Sequence, residues 1–257
     1  MDPARLRQLL ERVQSGQTTV TAALEELRRL PFADLGYAHV DHHRSLRLGV
    51  PEVILGEGKT VAQIAGIARE LMSSGQNVLV TRLSEAKASE LSREIPELAY
   101  RPEARVACYR GTAVVEHATE RVAVVTAGTS DIPVAEEALE TLSMCGIRTA
   151  RVFDVGVAGL HRLLGKLEVL SKAPAAIVVA GMEGALPSVI GGLVACPVIA
   201  VPTSVGYGSA LGGVAALLGM LTGCASGVTV VNIDNGFGAA MAVTRIILGQ
   251  DVGGGES

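Results

Sequence analysis

The chain has 257 residues and a formal net charge of −4, is 49% hydrophobic and only 3% aromatic, and contains no Trp. This length predicts one large or two modest domains with ample material for a core. Scarce aromatic residues and the lack of a basic stripe argue against a nucleic-acid partner. The four cysteines form no CxxC pair, which is typical of a reducing cytoplasm and argues against a disulfide framework or a zinc ribbon.

Residues 1–117 are predicted to form a small N-terminal α/β domain. They carry 15 basic and 15 acidic side chains, whereas the longer remainder is poorer in charge, so we expect a domain boundary near residues 114–120. The N-terminus predicts an amphipathic helix and not a signal peptide, because no apolar segment follows it. The expected elements are helices over 4–14 and 18–30, a polar His-rich stretch over 39–49, a short strand over 51–55, a helix from a Thr60 cap to about Ser74, a strand over 77–82, a helix over 84–94 and a strand over 105–109.

Residues 118–250 are predicted to form the second domain, followed by a flexible tail over 251–257. Strands are expected over 121–126, 149–153, 175–180, 197–201 and 227–232. Helices are expected over 132–144, 157–172, 184–194, 209–222 and 235–248. This alternation predicts a doubly wound parallel sheet of the flavodoxin-like type. Ligands of such sheets bind at the carboxyl ends of the strands.

A run of 50 residues, 184–233, contains no Asp, Glu, Lys, Arg or His. Such a run is expected in a core, in a membrane or between subunits, because exposed faces normally carry charges. Prolines and paired glycines interrupt it, so no apolar segment reaches the roughly 20 residues that a bilayer helix needs. We therefore expect a cytoplasmic protein with no membrane partner.

Polar residues follow two of the predicted strands. Gly128, Thr129, Ser130 and Asp131 stand between a strand and a helix, where backbone N–H groups and small hydroxyls bind phosphate or carboxylate well. An ordinary capped turn is the alternative. Glu183 is the last charge before the uncharged run, and either faces a site with a cationic partner or is a solvated acid at a helix start.

Residues 41–47 read DHHRSLR and form a second polar group. Arg44 and Arg47 share one face of a helix or turn and can clamp phosphate. The two histidines predict a solvated polar patch, because no second ligand pair has metal-site spacing. The GEGKT segment after them is not a P-loop, since Val53 stands where that motif requires glycine.

Cys224 lies near the end of the charge-free run, shortly before the polar turn at 232–238. A free cysteine in apolar surroundings is usually inert core filler. The alternative is a nucleophile kept from water. The residues by themselves leave both interpretations open.

Several motifs together resemble the LarB family of carboxylase/hydrolases from nickel-pincer nucleotide cofactor biosynthesis. They are RSLRLGVPEVILGEGKT (44–60), GTSD, GMEGALP and GCASGVTVVNIDNGFGAA. The second domain also resembles PurE, the phosphoribosylaminoimidazole carboxylase family, whose GSxSD turn corresponds to residues 128–131. PurE uses a histidine after its second strand, where this chain has Val157, with His161 downstream; purine carboxylation is therefore disfavoured. The likeness to PurE implies a PurE-like fold and a symmetric homo-octamer.

The resemblance to LarB implies that the chain carboxylates nicotinic acid adenine dinucleotide at C5 with CO2 or bicarbonate and hydrolyses its phosphoanhydride to release AMP. It assigns Cys224 to covalent activation of the ring and Glu183 to a divalent cation, Mg2+ or another. Asp131 is a candidate catalytic residue, with Asp41 as a candidate base. The implied substrate-binding residues are Arg44, Arg47, Lys59, Gly128, Thr129, Ser130 and Asn235. Two alternatives remain, a purine-type carboxylase or mutase and a non-catalytic nucleotide-binding scaffold.

Overall fold

The computed structural model describes residues 3–27, 32–117 and 120–253. The chain divides into two compact units, residues 1–114 and 115–257. Each unit has a hydrophobic core of its own. Within the described ranges, no helix is both long and apolar enough to cross a membrane.

Unit 1, residues 1–114, contains five helices and six strands within its described residues. The helices are α1 (Pro3–Gln14), α2 (Val20–Leu27), α3 (Arg44–Leu48), α4 (Val61–Ser73) and α5 (Glu85–Glu94). The strands are β1 (Phe32–Asp34), β2 (His39–Asp41), β3 (Val53–Leu55), β4 (Val78–Thr81), β5 (Ala99–Arg101) and β6 (Val106–Tyr109). The helices and strands expected from the sequence are present, although residues 28–30 of the second predicted helix lie outside the described residues. The sequence did not predict β1, β2, α3 or β5, because three to five residues are too few to show a period.

A mixed four-stranded sheet in the order β3-β4-β6-β5 organises unit 1. Strands β3 and β4 are parallel, whereas β6 runs antiparallel to both β4 and β5. The predicted cap of α4 is confirmed: Thr60 and Gln63 form a reciprocal capping box that satisfies two helix-start N–H groups. The apolar face of α4, including Ile64 and Leu71, is fully buried in the core of this unit.

Unit 2, residues 115–257, alternates strand and helix as predicted. Its strands are β7 (Val122–Thr126), β8 (Thr149–Val152), β9 (Ala176–Ala180), β10 (Val198–Pro202) and β11 (Val228–Val230). Its helices are α6 (Ile132–Met144), α7 (Leu160–Leu164), α8 (Leu167–Ser171), α9 (Leu186–Gly191), α10 (Val214–Leu221) and α11 (Gly236–Gly253).

The five strands of unit 2 form one sheet in the order β11-β10-β9-β7-β8, and all neighbours are parallel. Counted from the start of the unit, this is the order 2-1-3-4-5 of flavodoxin-like folds, so the predicted fold class is confirmed. The central strands are buried along their whole length, as expected of a parallel sheet covered by helices on both faces. The carboxyl ends of all five strands therefore lie on the same side of the sheet. We call the row of residues that directly follow β7, β8, β9, β10 and β11 the carboxyl edge.

Four predicted helices of unit 2 have different limits in the structure. The helix expected over 184–194 is the shorter α9, which spans Leu186–Gly191. The single helix expected over 157–172 consists of a 3-10 turn (Val157–Gly159), α7 and α8. The helix expected over 209–222 begins only at Val214, because Leu211 and Gly212 have left-handed backbones that an α-helix excludes. Helix α11 continues to Gly253, so the first three residues of the predicted tail are helical, and residues 254–257 lie outside the described residues.

The charge-free run is not simply core, as its composition suggested. Strand β10 is fully buried, but the segments after it expose large apolar side chains, including Tyr207 (82% exposed), Leu211 (69%) and Leu221 (61%). Cys224 is exposed as well, so the interpretation of this thiol as core filler is wrong for the isolated chain. The apolar composition of the run therefore describes a surface of unit 2 as well as its interior.

Candidate active site

Asp131 is the most enclosed carboxylate at the carboxyl edge, with only 3% of its surface exposed. It stands in the turn after β7, accepts a 2.7 Å hydrogen bond from the Thr203 hydroxyl on Oδ1 and a 2.8 Å bond from the Gly128 N–H on Oδ2. Burial raises the pKa of Asp131 above its ordinary value, although the hydrogen bonds, led by that from Thr203, act in the opposite direction. The predicted 128–131 turn is thus a rigid element with a buried carboxylate, and Thr129 and Ser130 are exposed beside it.

Strained backbones mark the same edge. Three residues that follow strands of the sheet, Asp154, Met182 and Asp234, have φ values of 57°, 54° and 54°. Such left-handed conformations are unfavourable for residues other than glycine, and they concentrate at functional sites where the surrounding structure enforces them. These φ values mark the strand ends after β8, β9 and β11 as candidate parts of a functional site.

Glu183, the predicted metal ligand, stands in the turn after β9 and is exposed. The Gly181 N–H two residues earlier also hydrogen-bonds Asp131, so this turn touches the 128–131 turn. On its other side, the carbonyl of Glu183 packs against Gly219 of α10 so closely that a Cβ on Gly219 would clash with the oxygen. Glu183 is held between the Asp131 turn and the helix that leads to Cys224.

Cys224 lies in the loop between α10 and β11, on the side of the unit formed by α9. Its neighbour Gly223 packs on Ser188, and Ala225 packs on Gly191, both in α9. The other cysteines differ in environment: Cys108 and Cys145 are buried and Cys196 is half-buried. Burial raises the pKa of Cys145 to about 11 and also raises that of Cys196, which leaves Cys224 as the accessible thiol among the four.

Asn235, a predicted substrate-binding residue, caps the first turn of helix α11. Its Oδ1 accepts a 2.9 Å hydrogen bond from the Gly238 N–H in the first turn of α11. The preceding Asp234 accepts a 2.8 Å bond from the Ser204 N–H and so joins the ends of β10 and β11. Asp234 is also close enough to Asp131 to raise the pKa of that carboxyl.

The predicted phosphate clamp of unit 1 is assembled as a set of ion pairs. Arg47 donates a 2.7 Å hydrogen bond to Asp41, and Arg44 donates a 3.3 Å bond to Glu52. Partial burial acts to raise the pKa of Asp41, but the hydrogen bonds from Arg47 and the His43 N–H and the nearby arginine charges outweigh it, so this pKa is lowered. A lowered pKa makes Asp41 a weaker proton acceptor and favours a role in orienting Arg47.

Lys59 projects from a turn that a second lysine fixes. The ammonium of Lys87 donates hydrogen bonds of 2.9 Å and 2.7 Å to the carbonyls of Gly56 and Lys59. No partner for the Lys59 ammonium is present among the described residues, so this cation remains available to a ligand. The Arg44 Nε is likewise buried without a hydrogen-bond partner in the described parts of the chain.

The solvated histidine patch expected at residues 42–43 is wrong for His42. Only 2% of His42 is exposed, and its ring nitrogens lie 3.0 Å from Glu70 Oε1 and 2.8 Å from Gln76 Nε2. His42 stands in the turn directly after β2 and is buried, whereas its neighbours Asp41 and His43 are only partly buried. Within the described ranges, no group of three or more His, Cys, Asp or Glu side chains is arranged to hold a metal ion.

The structure therefore brings together Gly128, Asp131 and the Glu183 turn, and it adds three residues that sequence reasoning missed: Thr203, Asp154 and Arg162. Arg162 Nη1 donates a 2.5 Å hydrogen bond to Asp154 Oδ2. The signal that could have found Asp154 is its position directly after a predicted strand, as for Asp131. Thr203 carried no such signal, because a hydroxyl inside an apolar strand end has no distinctive pattern.

The chain matches two known protein families. Residues 32–111 match the LarB/PurE-like N-terminal domain family, and residues 121–253 match the AIR carboxylase family. The chain belongs to the LarB/PurE-like family. It is also 41% identical over 211 residues to the uncharacterized protein MJ0165 of Methanocaldococcus jannaschii, an alignment that covers 79% of this chain and 80% of the relative. Membership of the LarB/PurE-like family indicates a carboxylase-type function.

Proposed function

We propose that the protein carboxylates C5 of the pyridinium ring of nicotinic acid adenine dinucleotide and hydrolyses the phosphoanhydride. The products are pyridinium-3,5-biscarboxylic acid mononucleotide and AMP, formed from the dinucleotide, CO2 and water. Two facts support this proposal: the chain joins a LarB/PurE-like N-terminal domain to an AIR carboxylase domain, and it retains an accessible thiol in the segment GCASG.

The observation that carries the proposal is the exposure of Cys224, in contrast to the three other cysteines. A pyridinium ring is electron-poor and does not attack CO2. Addition of the Cys224 thiolate to the ring carbon next to C5 gives an enamine, whose C5 then forms a bond to CO2. Loss of the C5 proton and expulsion of the thiolate restore the aromatic ring, so no oxidant is needed.

At the carboxyl edge, we assign the 128–131 turn to the nicotinate ribosyl phosphate. Thr129 and Ser130 offer backbone N–H groups and hydroxyls to phosphate oxygens. Gly128 shapes the turn, because its own N–H is donated to Asp131. Asn235 supports the same edge by capping α11. The expected effect of this arrangement is a ring held in a defined position, which favours reaction over unproductive binding.

Glu183 would hold Mg2+ or another divalent cation. The described residues supply one carboxylate there and no further cluster of metal ligands, which fits the usual binding of Mg2+ by one or two carboxylates, waters and substrate phosphates. Such an ion supplies charge stabilisation at the phosphoanhydride. The tight turn around Glu183, with positive φ at Met182 and Gly184, keeps the carboxylate in solvent beside the Asp131 turn.

In unit 1, we assign Arg44, Arg47 and Lys59 to the binding of substrate phosphate. Among the described residues, the Lys59 ammonium and the Arg44 Nε have no hydrogen-bond partner, and Asp41 orients Arg47. Arginine forks and a lysine point charge are the groups that proteins use for phosphates.

We further propose that the exposed apolar surface of unit 2 packs against other copies of the chain in a homo-octamer. Tyr207, Leu211, Leu218 and Leu221 are all more than half exposed and lie in a segment without charges, which is the composition of an obligate interface core. Light scattering tests this directly, and a monomeric mass contradicts it.

The test of the activity is incubation with nicotinic acid adenine dinucleotide, Mg2+ and labelled bicarbonate. The expected products are AMP and a doubly carboxylated mononucleotide that retains the label. Cys224→Ser should abolish carboxylation while Cys196→Ser, the matched variant at a half-buried thiol, should retain it. If wild-type protein forms neither product, the proposal is wrong; turnover by Cys224→Ser would remove the thiol from the mechanism. Aminoimidazole ribonucleotide, supplied in parallel, tests the purine-type alternative.

A further inference from the structure

We propose that Arg162 binds an anionic group of the substrate, a carboxylate or a phosphate, and thereby determines specificity at the carboxyl edge. This inference rests on the proposed function, since it concerns the same site. Four features of the structure support it. Asp154 has a left-handed backbone, and Gly159 leaves space for the Arg162 guanidinium. The loop that carries Asp154 is hydrogen-bonded to the end of β7, and several carboxylates lie along the carboxyl edge.

Asp154 is the strained aspartate. It has a φ of 57°, and its N–H donates a 3.0 Å hydrogen bond to the hydroxyl of the fully buried Thr126 at the end of β7. A left-handed aspartate costs energy, and the structure retains it through this buried contact. The result is a carboxylate in a fixed position, and its Oδ2 accepts the hydrogen bond from Arg162. A surface ion pair alone contributes little to stability and does not require a strained backbone.

Gly159 provides the space for the guanidinium. A Cβ on Gly159 would lie 2.6 Å from Nε and 3.0 Å from Nη2 of Arg162. Gly159 itself has φ −125°, which any residue can adopt, so space and not backbone conformation explains a glycine at this position. Asp154 uses one of the five guanidinium N–H groups, and no other described residue is hydrogen-bonded to the guanidinium, so the others remain for a ligand.

The segment that carries Asp154 is attached to the strand before the 128–131 turn. The Gly156 N–H donates a 2.8 Å hydrogen bond to the Ala127 carbonyl, and a Cβ on Gly156 would lie 2.7 Å from that oxygen. The loop after β8 therefore lies directly against the end of β7. Arg162 belongs to the same edge as the turn that we assign to the ribosyl phosphate.

The charges of this edge favour a second cation besides the ion that we propose at Glu183. Carboxylates follow four of the five strands: Asp131 after β7, Asp154 after β8, Glu183 after β9 and Asp234 after β11. The proposed substrate carries a ring carboxylate and phosphates, which such an edge would repel. Arg162 supplies a positive charge with a planar fork that matches carboxylate and phosphate oxygens.

The test measures equilibrium binding to the intact protein by calorimetry with three probes: nicotinate mononucleotide, nicotinamide mononucleotide and nicotinate riboside. The first pair reports the preference for the ring carboxylate, and the first and third report the preference for the phosphate. In Arg162→Gln, one of the two preference ratios should fall about tenfold or more, because a site built for an anion loses its partner. The ratio that falls identifies the group.

Gly159→Ala keeps the positive charge but displaces the guanidinium, and should lower the same ratio. Arg151→Gln is the matched control, since Arg151 forms a 2.8 Å ion pair with Glu136 without belonging to the carboxyl edge, and should change neither ratio. If Arg162→Gln does not fold, Gly159→Ala carries the test. The inference is overturned if the variants keep both wild-type ratios, whereas a wild-type protein that binds none of the probes contradicts the proposed function as well.

Discussion

The hydroxyl of Thr203 donates a 2.7 Å hydrogen bond to Oδ1 of Asp131, and both side chains are almost completely buried. These residues are 72 positions apart, one after β10 and one after β7. With the Gly128 N–H on the other oxygen, the carboxylate is fixed on both sides. These two hydrogen bonds hold the polar 128–131 turn in a fixed position.

Thr203→Val should destabilise the protein by about 1.5–3 kcal/mol, because it removes a hydrogen bond to a charged acceptor and leaves that oxygen buried without its donor. Urea unfolding measures the loss. Thr229→Val, at the exposed position of β11, is the control and should change the unfolding free energy by less than about 0.5 kcal/mol. Equal stability of the two variants would show that the Asp131 carboxylate does not depend on Thr203.

Asp131 should make stability depend on pH in a defined direction. Burial raises its folded-state pKa above the ordinary 3.8, so the native state holds the proton more tightly than the unfolded chain does. The tighter binding of this proton adds to the unfolding free energy below the ordinary pKa. This contribution is lost as the pH rises through the folded-state pKa of Asp131. Asp131→Asn removes this loss, so its stability relative to wild type should increase from about pH 4 to about pH 7. A relative stability that falls over this range would contradict the raised pKa.

The cysteines should react with a thiol reagent in a fixed order. At about pH 8, a thiol of pKa about 11 is a thiolate in only about one molecule in a thousand, so Cys145 should be nearly inert in the native protein. Cys224 is exposed and should be labelled first. Peptide mass spectrometry after short exposure to iodoacetamide gives the order, and labelling in urea is the control in which all four react. Preferential labelling of Cys145 or Cys108 would contradict the placement of Cys224 at the surface.

Lys87→Met should loosen the turn that carries Lys59. The ammonium of Lys87 holds the carbonyls of Gly56 and Lys59, and loss of both bonds should cost about 2–3 kcal/mol of unfolding free energy. Hydrogen exchange of the amides around residues 56–60 should rise in the variant. Lys172→Met is the matched control, because Lys172 forms an exposed pair with Glu168, and its exchange and stability should stay close to wild type.

Two glycine-to-alanine changes in helices should have opposite effects. Gly249→Ala meets nothing within 4 Å and should stabilise α11 by about 0.5–1 kcal/mol through helix propensity. Gly219→Ala would place a Cβ in a clash with the Glu183 carbonyl, so it should destabilise the protein and displace the Glu183 turn. Thermal unfolding compares the pair. A stabilising Gly219→Ala would refute the close packing of α10 on that turn.

The doubly wound sheet of unit 2 could be predicted because its strands and helices are long and regular. Five apolar strands separated by helices admit few arrangements, and the right-handed crossover rule excludes most of these. The broken segment after β8 could not be predicted, since positive φ values and 3-10 turns depend on tertiary contacts such as that between Asp154 and Thr126. Likewise, the sequence pattern at residues 41–47 did not reveal that His42 is buried, because β2 is only three residues long.

For the candidate site, the sequence by itself determined the chemical groups: a thiol in a charge-free run, a GTSD turn after a strand, and a lone Glu183. Residue type and local spacing encode such groups directly. Only the tertiary structure decided which thiol is accessible, that Asp131 is buried against Thr203, and that Arg162 stands beside Asp154. Burial and pairing depend on residues brought together from distant strands, and a linear pattern does not contain those distances.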